Sequence, residues 1–249
     1  MTVRAAILFT LAAAVASPAS AQLNQPIYPA YDGYVQNPDG SYTLSFRYFS
    51  HNSEPVTIPP GDQNGFSPGP GDRQQPTTFK PGDWRFQCVM VVGKEFDGKL
   101  KWTLSYGGTT TGTSEHMLQS NWNLVEGAAE LKQIDYAKVP KGVCLNRAPQ
   151  VRVLGAVGGG RGKPAALSVT SSVDERFSLF GSVNDEGLPR TGKLTAGWTQ
   201  VNGPGRATFE NAATPRTRAT FSAPGSYELE LTASDGELTS TTRVIVNVQ

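Results

Sequence analysis

The chain carries few histidines that could act as the base of a nucleophilic hydrolase. Its two histidines, His51 and His116, lie far apart in sequence, and no Gly-x-Ser-x-Gly motif is present. Nucleophilic hydrolysis requires a base beside the nucleophile, whereas Ser114-Glu115-His116 lies in a Thr- and Gly-rich stretch that is typical of a surface turn. The sequence therefore predicts no catalytic residues and favours a protein that is not an enzyme.

A glycine-rich run from Gly158 to Lys163 has the composition of a phosphate-binding loop but not its spacing. The motif Gly-x-x-x-x-Gly-Lys-Ser/Thr would need glycine at position 157 and serine or threonine at position 164. The chain has Val157 and Pro164 there. We interpret the run as a flexible connector.

Carboxylates cluster in two places, and each cluster leaves alternatives open. Asp62, Asp72 and Asp83 lie in a Pro/Gly-rich stretch, and Asp185-Glu186 lies in a predicted turn. Paired carboxylates hydrolyse glycosides, and carboxylates on loops also bind calcium. Because none has the spacing of an EF-hand loop, turn-forming surface acids are the leading interpretation. No metal ligand and no cofactor is assigned, and calcium binding by an Asp-rich loop stays open.

The chain contains two cysteines, Cys88 and Cys144. In an exported protein an even, isolated pair is expected to form a disulfide. The bond would close a loop of about 57 residues, which corresponds to roughly 4 kcal/mol of stabilisation in the chain-entropy model. A reactive or metal-binding pair has no support, because there is no Cys-x-x-Cys motif.

Aromatic residues are concentrated in the first half of the chain. Exposed aromatic rings on a sheet or loop stack on sugars or anchor a protein partner, although most rings are expected to fill a core. Phe49 breaks the inward phase of its strand, and Phe66 lies in the Pro/Gly-rich stretch, so these two are the predicted binding residues. The full set is Tyr28, Tyr31, Tyr34, Tyr48, Phe49 and Phe66.

The first residues have the pattern of a secretory signal peptide. Arg4 precedes an apolar run from Ala5 to Val15, and Ala19-Ser20-Ala21 is a small-residue cleavage site. We expect residues 1–21 to be removed and the protein to be exported, to the periplasm or outside the cell. The apolar run is shorter than the roughly 20 residues of a membrane span, so no membrane span is predicted.

The formal net charge of the chain is +1, and removal of Arg4 with the signal would bring it to zero. A balanced charge excludes the basic surface expected of a nucleic-acid-binding protein.

Turns and alternating residues predict strands throughout residues 22–147. Asn37-Pro38-Asp39-Gly40 is a turn between an extended lead-in and a period-two strand beginning at Ser41. Residues 55–83 are rich in Pro and Gly and are expected to form a long loop with one short edge strand near 56–58. Further strands are predicted at 84–92 and 100–106, a hairpin after Gly107-Gly108, and one helical candidate at 124–134.

The composition shifts at Asn146-Arg147-Ala148-Pro149, and the alternation becomes cleaner beyond it. Strands at intervals of 8–12 residues with turns between them indicate a β-sandwich. Alternation places Trp198 on one face of its strand, and Asp235-Gly236 forms the last hairpin turn. The matching segments are Phe177–Ser182, Asn184–Pro189, Leu194–Gly205, Phe221–Tyr227 and Leu231–Gly236.

Through these segments residues 148–249 resemble PKD and REJ-like domains of the immunoglobulin superfold. The resemblance implies that Trp198 is the core aromatic residue and that Tyr227 occupies the corner position of the penultimate strand. The chain departs from the pattern between Val151 and Val173, where the glycine-rich run is inserted. Residues 22–147 are similar to a domain of uncharacterised exported bacterial proteins, on the segments Asp39–Leu44, Phe46–Phe49, Gly69–Pro76 and Trp102–Leu104.

The sequence thus predicts an all-β protein with two tandem β-sandwich domains, 22–147 and 148–249, the second immunoglobulin-like and of PKD type. The leading function is a secreted, non-catalytic interaction or adhesion module that binds a protein or polysaccharide. The alternative is an accessory domain or weak hydrolase that acts on glycans with carboxylates of the 55–83 loop. Fold alone does not decide between them.

Overall fold

The computed structural model describes residues 24–114, 116–124, 131, 134–157 and 165–249, except for the side chains of residues 168–170. The predicted signal peptide, the glycine-rich connector and most of the helical candidate at 124–134 lie outside these residues. No helix in the described part of the chain has the length and apolar character that crossing a membrane requires.

The first half is built from short antiparallel sheets. Its elements are β1 (Ile27–Gln36), β2 (Tyr42–Ser50), β3 (Val56–Thr57), β4 (Asn64–Ser67), β5 (Thr78–Phe79), β6 (Gly82–Val92), β7 (Lys101–Tyr106), β8 (Thr109–Gly112) and a 3-10 turn, Ser120–Trp122. They pair in the orders β1-β2-β6, β3-β5 and β4-β7-β8. The inward residues of these sheets form one core around Phe46, Tyr48 and Trp102.

The Pro/Gly-rich stretch is a paired structure and not only a loop. The short edge strand expected near residue 56 is present as β3, which pairs with β5. Within the stretch β4 pairs with β7 and brings Phe66 opposite Trp102. Asn64 holds the bend from inside: its Nδ2 donates to the carbonyl oxygens of Ile58 and Pro76, each at 2.9 Å. A buried amide therefore replaces the ladder bonds that the prolines cannot make.

The second half has the strand order of an immunoglobulin-like sandwich. Its strands are β9 (Gln150–Val153), β10 (Ala156–Val157), β11 (Ala165–Ser171), β12 (Phe177–Asn184), β13 (Thr195–Asn202), β14 (Ala207–Phe209), β15 (Arg216–Phe221), β16 (Gly225–Ser234) and β17 (Thr239–Val248). One sheet has the order β14-β15-β12-β9 and the other β10-β11-β17-β16-β13. These correspond to the two sheets of the immunoglobulin fold.

The chain changes sheets at residues 154–155, between β9, which pairs with β12, and β10, which pairs with β11. β11 then pairs in parallel with β17, so the glycine-rich run lies in sequence between two strands of the same sheet, after the crossover.

The core of the second half confirms the predicted positions of its two aromatic residues. Trp198 is 2% exposed, and its indole Nε1 donates to the carbonyl oxygen of Pro215 at 2.9 Å. Tyr227 is fully buried, and its hydroxyl donates to the carbonyl oxygen of Ala223, four residues upstream, at 2.9 Å. That bond is the tyrosine corner of immunoglobulin-like folds. Leu179, Phe221 and Leu231 close the core from neighbouring strands.

Cys88 and Cys144 form the expected disulfide. Cys88 lies on β6, the sheet strand beside β2, and Cys144 lies in the segment that leads to β9. Both are buried in the first core. The bond therefore fastens the end of the first half to its central sheet, and the main-chain N–H of Leu145 continues the attachment by donating to the carbonyl oxygen of Val89 at 2.8 Å.

The two halves meet through the connection between β12 and β13. Leu188 of this connection is buried in the first core. Arg190 donates to both carboxylate oxygens of Asp72, at 2.8 and 2.9 Å, and to the carbonyl oxygen of Gln75 at 2.9 Å. A loop of the second sandwich is thus anchored in the first by one apolar side chain and one bidentate arginine.

Candidate functional site

An aromatic patch lies at one end of the outer face of the β1-β2-β6 sheet. Tyr28 and Phe49 are opposite each other in the ladder. The ring of His51 lies 4.4 Å from that of Phe49 and 6.2 Å from that of Tyr28, in both cases edge to face. Tyr28 is 42% exposed, Phe49 is half-buried and His51 is exposed. We call Tyr28, Phe49 and His51 the aromatic patch.

Strand alternation explains why these rings face outward. Side chains two residues apart lie on the same face of a strand, so Arg47, Phe49 and His51 share one face of the β2 segment. Tyr48, between them, points into the core and is almost fully buried. The aromatic patch therefore lies on the outer face of the β1-β2-β6 sheet, and the aromatic core lies on its inner face.

Charged side chains continue the same face beyond the patch. Asp83 lies opposite Phe49 on β6 and pairs with Arg47. Arg85 Nε donates to Asp32 Oδ1 at 2.8 Å. Asp32 lies at the register shift of β1, where its carboxylate is buried. The face thus offers rings at one end and two arginine–aspartate pairs beside them.

The structure separates the two predicted binding residues. Phe49 is half-buried on the outer face of the sheet. The expected exposure of Phe66 is wrong: Phe66 is 4% exposed and stacks on Trp102, with ring centroids 5.7 Å apart and ring planes at 15°. The reason is that residues 64–67 form β4 instead of a free loop, and pairing with β7 turns the ring inward.

Sequence reasoning considers His51 only as a catalytic base and does not single out Arg47 or Asp32. A sequence signal for His51 and Arg47 was available, because Arg47, Phe49 and His51 follow the same period-two phase. No local signal marks Asp32, because its burial depends on a bulge and on Arg85, which lies 53 residues away in sequence.

The carboxylates of the 55–83 stretch are mostly engaged. Asp83 pairs with Arg47. The bidentate hydrogen bond from Arg190 holds the pKa of Asp72 below its ordinary value. Asp62 and Asp72 line a shallow cleft of about 510 Å³. That cleft is the place where the glycan-hydrolase alternative would have to act.

A second group of acids is buried at the junction of the halves. Asp185, Glu186 and Asp235 are all nearly inaccessible. Burial raises the pKa of Glu186 to about 7 and also raises the pKa of Asp185. Glu186 Oε1 accepts a hydrogen bond from the main-chain N–H of Arg147 at 2.6 Å, and Lys80 Nζ donates to the main-chain oxygen of Asp185 at 3.4 Å. Asp185 and Glu186 are therefore not the surface turn acids that the sequence suggests.

No protein-family model matches the chain. Among solved structures it is similar to the fibronectin(III)-like modules of Clostridium thermocellum CbhA, with 11% identity, a TM-score of 0.27 and coverage of 89% of this chain and 94% of that one. It is also similar to titin A168169, with 10% identity, a TM-score of 0.28 and coverage of 89% and 98%, and to Drosophila N-cadherin EC1-3, with 12% identity, a TM-score of 0.28 and coverage of 89% and 67%. These similarities are too weak to carry an argument, and the immunoglobulin-like assignment rests on strand order.

Proposed function

We propose that the chain is an exported, non-catalytic interaction module that binds a protein or polysaccharide at the cell envelope or outside the cell through the aromatic patch. The observation that carries the proposal is the cluster of Tyr28, Phe49 and His51 on an otherwise charged sheet face, with edge-to-face ring contacts. Aromatic residues at a surface are the usual anchors of protein interfaces. The apolar faces of aromatic rings also stack on ligands, whose polar edges can then form hydrogen bonds with neighbouring charged side chains.

Two features support export and the PKD-type assignment of residues 148–249. The disulfide is a bond that persists in oxidising compartments. Strand order and the tyrosine corner at Tyr227 are those of the immunoglobulin superfold, to which PKD domains belong. An interaction or adhesion role is the use that the resemblance implies for such a domain.

A double variant tests the patch directly. Tyr28→Ala with Phe49→Ala removes the two carbon rings from the sheet face. Tagged protein from residue 22 onward is applied to a glycan array and to envelope extract. We expect wild type to retain a specific glycan or protein and the double variant to lose it. Phe180→Ala is the matched control, because Phe180 is an exposed aromatic residue of the second half, 52% accessible.

Retention of the same ligand by the double variant would place the binding surface elsewhere. The melting temperature of each variant is measured in parallel, so that lost binding is separated from lost folding.

One observation favours the hydrolase alternative: Asp62 and Asp72 line the same cleft. A glycosidase needs two carboxylates, one of which gives a proton to the leaving group. Arg190 holds the pKa of Asp72 below its ordinary value, which suits the role of base or nucleophile, and Asp62 would have to supply the proton. Release of reducing sugar from envelope polysaccharide by wild type, and its loss in Asp62→Asn, would support this alternative over a pure binding module.

A further inference from the structure

The four strands of the sheet β14-β15-β12-β9 carry basic side chains and no acidic ones. They contain Arg152, Arg216 and Arg218 and neither aspartate nor glutamate. All three arginines are exposed. The alternate residues of these strands, such as Leu179 and Ala219, are buried in the second core, so strand alternation turns the arginines to solvent. We call the exposed face of this sheet the arginine face.

Two apolar side chains lie in the middle of the arginine face. Phe180 is opposite Arg216 in the ladder of β12 and β15. On the other side of Phe180, its carbonyl oxygen accepts a hydrogen bond from the main-chain N–H of Leu154 at 2.9 Å. Phe180 is 52% exposed and Leu154 is 54% exposed. The adjacent rows of the ladder place a hydroxyl group opposite a guanidinium group, Ser178 opposite Arg218 and Ser182 opposite Arg152.

The charges of the arginine face are only partly balanced by acidic side chains. Arg176, at the start of β12, and Arg218 share one carboxylate, that of Glu210, at 3.6 and 3.9 Å. Among the described residues, no carboxylate lies within ion-pair distance of Arg152 or Arg216. Two of the guanidinium groups are therefore available to an anionic ligand.

The other outer face of the same sandwich has its charges paired. On β16 and β17, Arg243 donates to Glu230 Oε2 at 2.6 Å and to Glu228 Oε1 at 3.3 Å. The formal net charge of the whole chain is only +1. The unbalanced positive charge is thus a local property of the arginine face. Because salt screens exposed charges beyond about 8–10 Å, this face acts on anionic groups that touch it.

A shallow cleft of about 370 Å³ lies at one edge of the arginine face, between β12 and the turn before β15. Ser182, Thr214 and Arg216 are among the residues that line it. Its volume is in the range of sites for small ligands. A guanidinium is a planar fork of N–H donors that matches a carboxylate, and hydroxyl side chains can donate to and accept from sugar hydroxyls.

We infer that the arginine face binds a carboxylated polysaccharide, with Arg216 and Arg218 on its carboxylates and Phe180 stacked on a sugar ring. A nucleic acid would require a broader basic surface that neutralises many phosphates. Phe180 and Leu154 lie within a sheet and not at the tip of a loop, which disfavours insertion into a bilayer. This site is on the second half and is independent of the aromatic patch.

The test measures binding of the full chain from residue 22 to immobilised polygalacturonate, with neutral dextran as the control polymer. We expect wild type to bind polygalacturonate more weakly as salt is raised and not to bind dextran. No binding to polygalacturonate, or equal binding to dextran, would overturn the site. Equally tight binding to single-stranded DNA or to phosphatidylglycerol vesicles at the same salt would overturn the assignment to a polysaccharide.

Single charge changes separate the arginine face from net charge. Arg216→Gln and Arg218→Gln are each expected to weaken binding about tenfold or more, because each removes a hydrogen bond between charged groups. Arg243→Gln, the matched control, removes the same charge from the opposite face and should bind as wild type does. An equal loss in Arg243→Gln would contradict the proposal. Melting temperatures measured in parallel show that each variant is folded.

Aromatic variants separate this site from the aromatic patch. Phe180→Ala is expected to weaken binding to polygalacturonate about three- to tenfold, because it removes the stacking ring, and to keep any ligand that the patch holds. Tyr28→Ala with Phe49→Ala should bind polygalacturonate as wild type does. Loss of polygalacturonate binding in that double variant, with Phe180→Ala unaffected, would place the polysaccharide on the patch and overturn the proposal.

Discussion

Trp198 occupies the centre of the second core, and its role there is structural. It is 2% exposed and donates an indole hydrogen bond to a main-chain oxygen. Truncation removes both the buried ring and that bond, so Trp198→Ala is expected to cost about 3–5 kcal/mol. Denaturant melts of the full chain measure this loss. Leu194→Ala, at a position 39% exposed, should stay near wild type, and a wild-type melt of Trp198→Ala would refute the core assignment.

Phe66 is expected to behave as a core residue of the first half. Its ring is buried and stacks on Trp102, so Phe66→Ala should also cost about 3–5 kcal/mol. Tyr28→Ala, which removes a surface ring, should cost far less. Thermal melts of both variants decide the matter. Equal melting temperatures for Phe66→Ala and Tyr28→Ala would contradict the core assignment and support the exposed position that the sequence predicts for Phe66.

The disulfide stabilises the attachment of a whole chain segment to the first sheet. It ties β6 to the segment that leads into β9, and it closes a long loop of the first half. Cys88→Ser with Cys144→Ser is expected to cost about 2–5 kcal/mol, seen as a lower melting temperature. Intact mass with and without reductant checks the bond itself in the purified protein. Alkylation of both thiols without reduction would show that the bond does not form.

Period-two alternation predicts the strands whose two faces differ in environment. It finds β7, β12, β13, β16 and β17, in which buried residues are flanked by half-buried or exposed ones. It also finds β2, although Thr43 and Ser45 on the polar face of that strand are themselves buried. It gives only an extended lead-in for β1, since Pro29 interrupts the pattern. The structure accommodates that proline because β1 is an edge strand.

The elements and sites that sequence reasoning missed depend on distant partners. β4 lies in a stretch of Pro and Gly, and only its pairing with β7 makes it a strand. The aromatic patch needs the register of β1 against β2, and the junction acids need two turns from different parts of the chain. A local pattern does not contain these long-range pairings. Phe49 could be chosen from the alternation of its own strand, whereas Phe66 was misplaced because its burial depends on pairing with β7.

At the scale of the whole molecule, strands before and after residue 149 join different sheets and pack different cores. Residues 148–249 expressed alone are therefore expected to melt cooperatively. Their melting temperature should lie below that of the same unit in the full chain. In the isolated unit Leu188 is no longer buried by the first core, and Arg190 no longer forms its ion pair with Asp72. Scanning calorimetry of both proteins makes the comparison. An insoluble or non-cooperative fragment would mean that the halves fold only together.

The sheet order of the second half makes its core depend on β17. β17 is paired on both sides, with β16 and with β11, so this strand lies inside a sheet whose other members all precede it in sequence. Without β17, β11 has no partner on that side and the core lacks Val244 and Val246. The core of this half is therefore complete only once β17 has joined both of its neighbours.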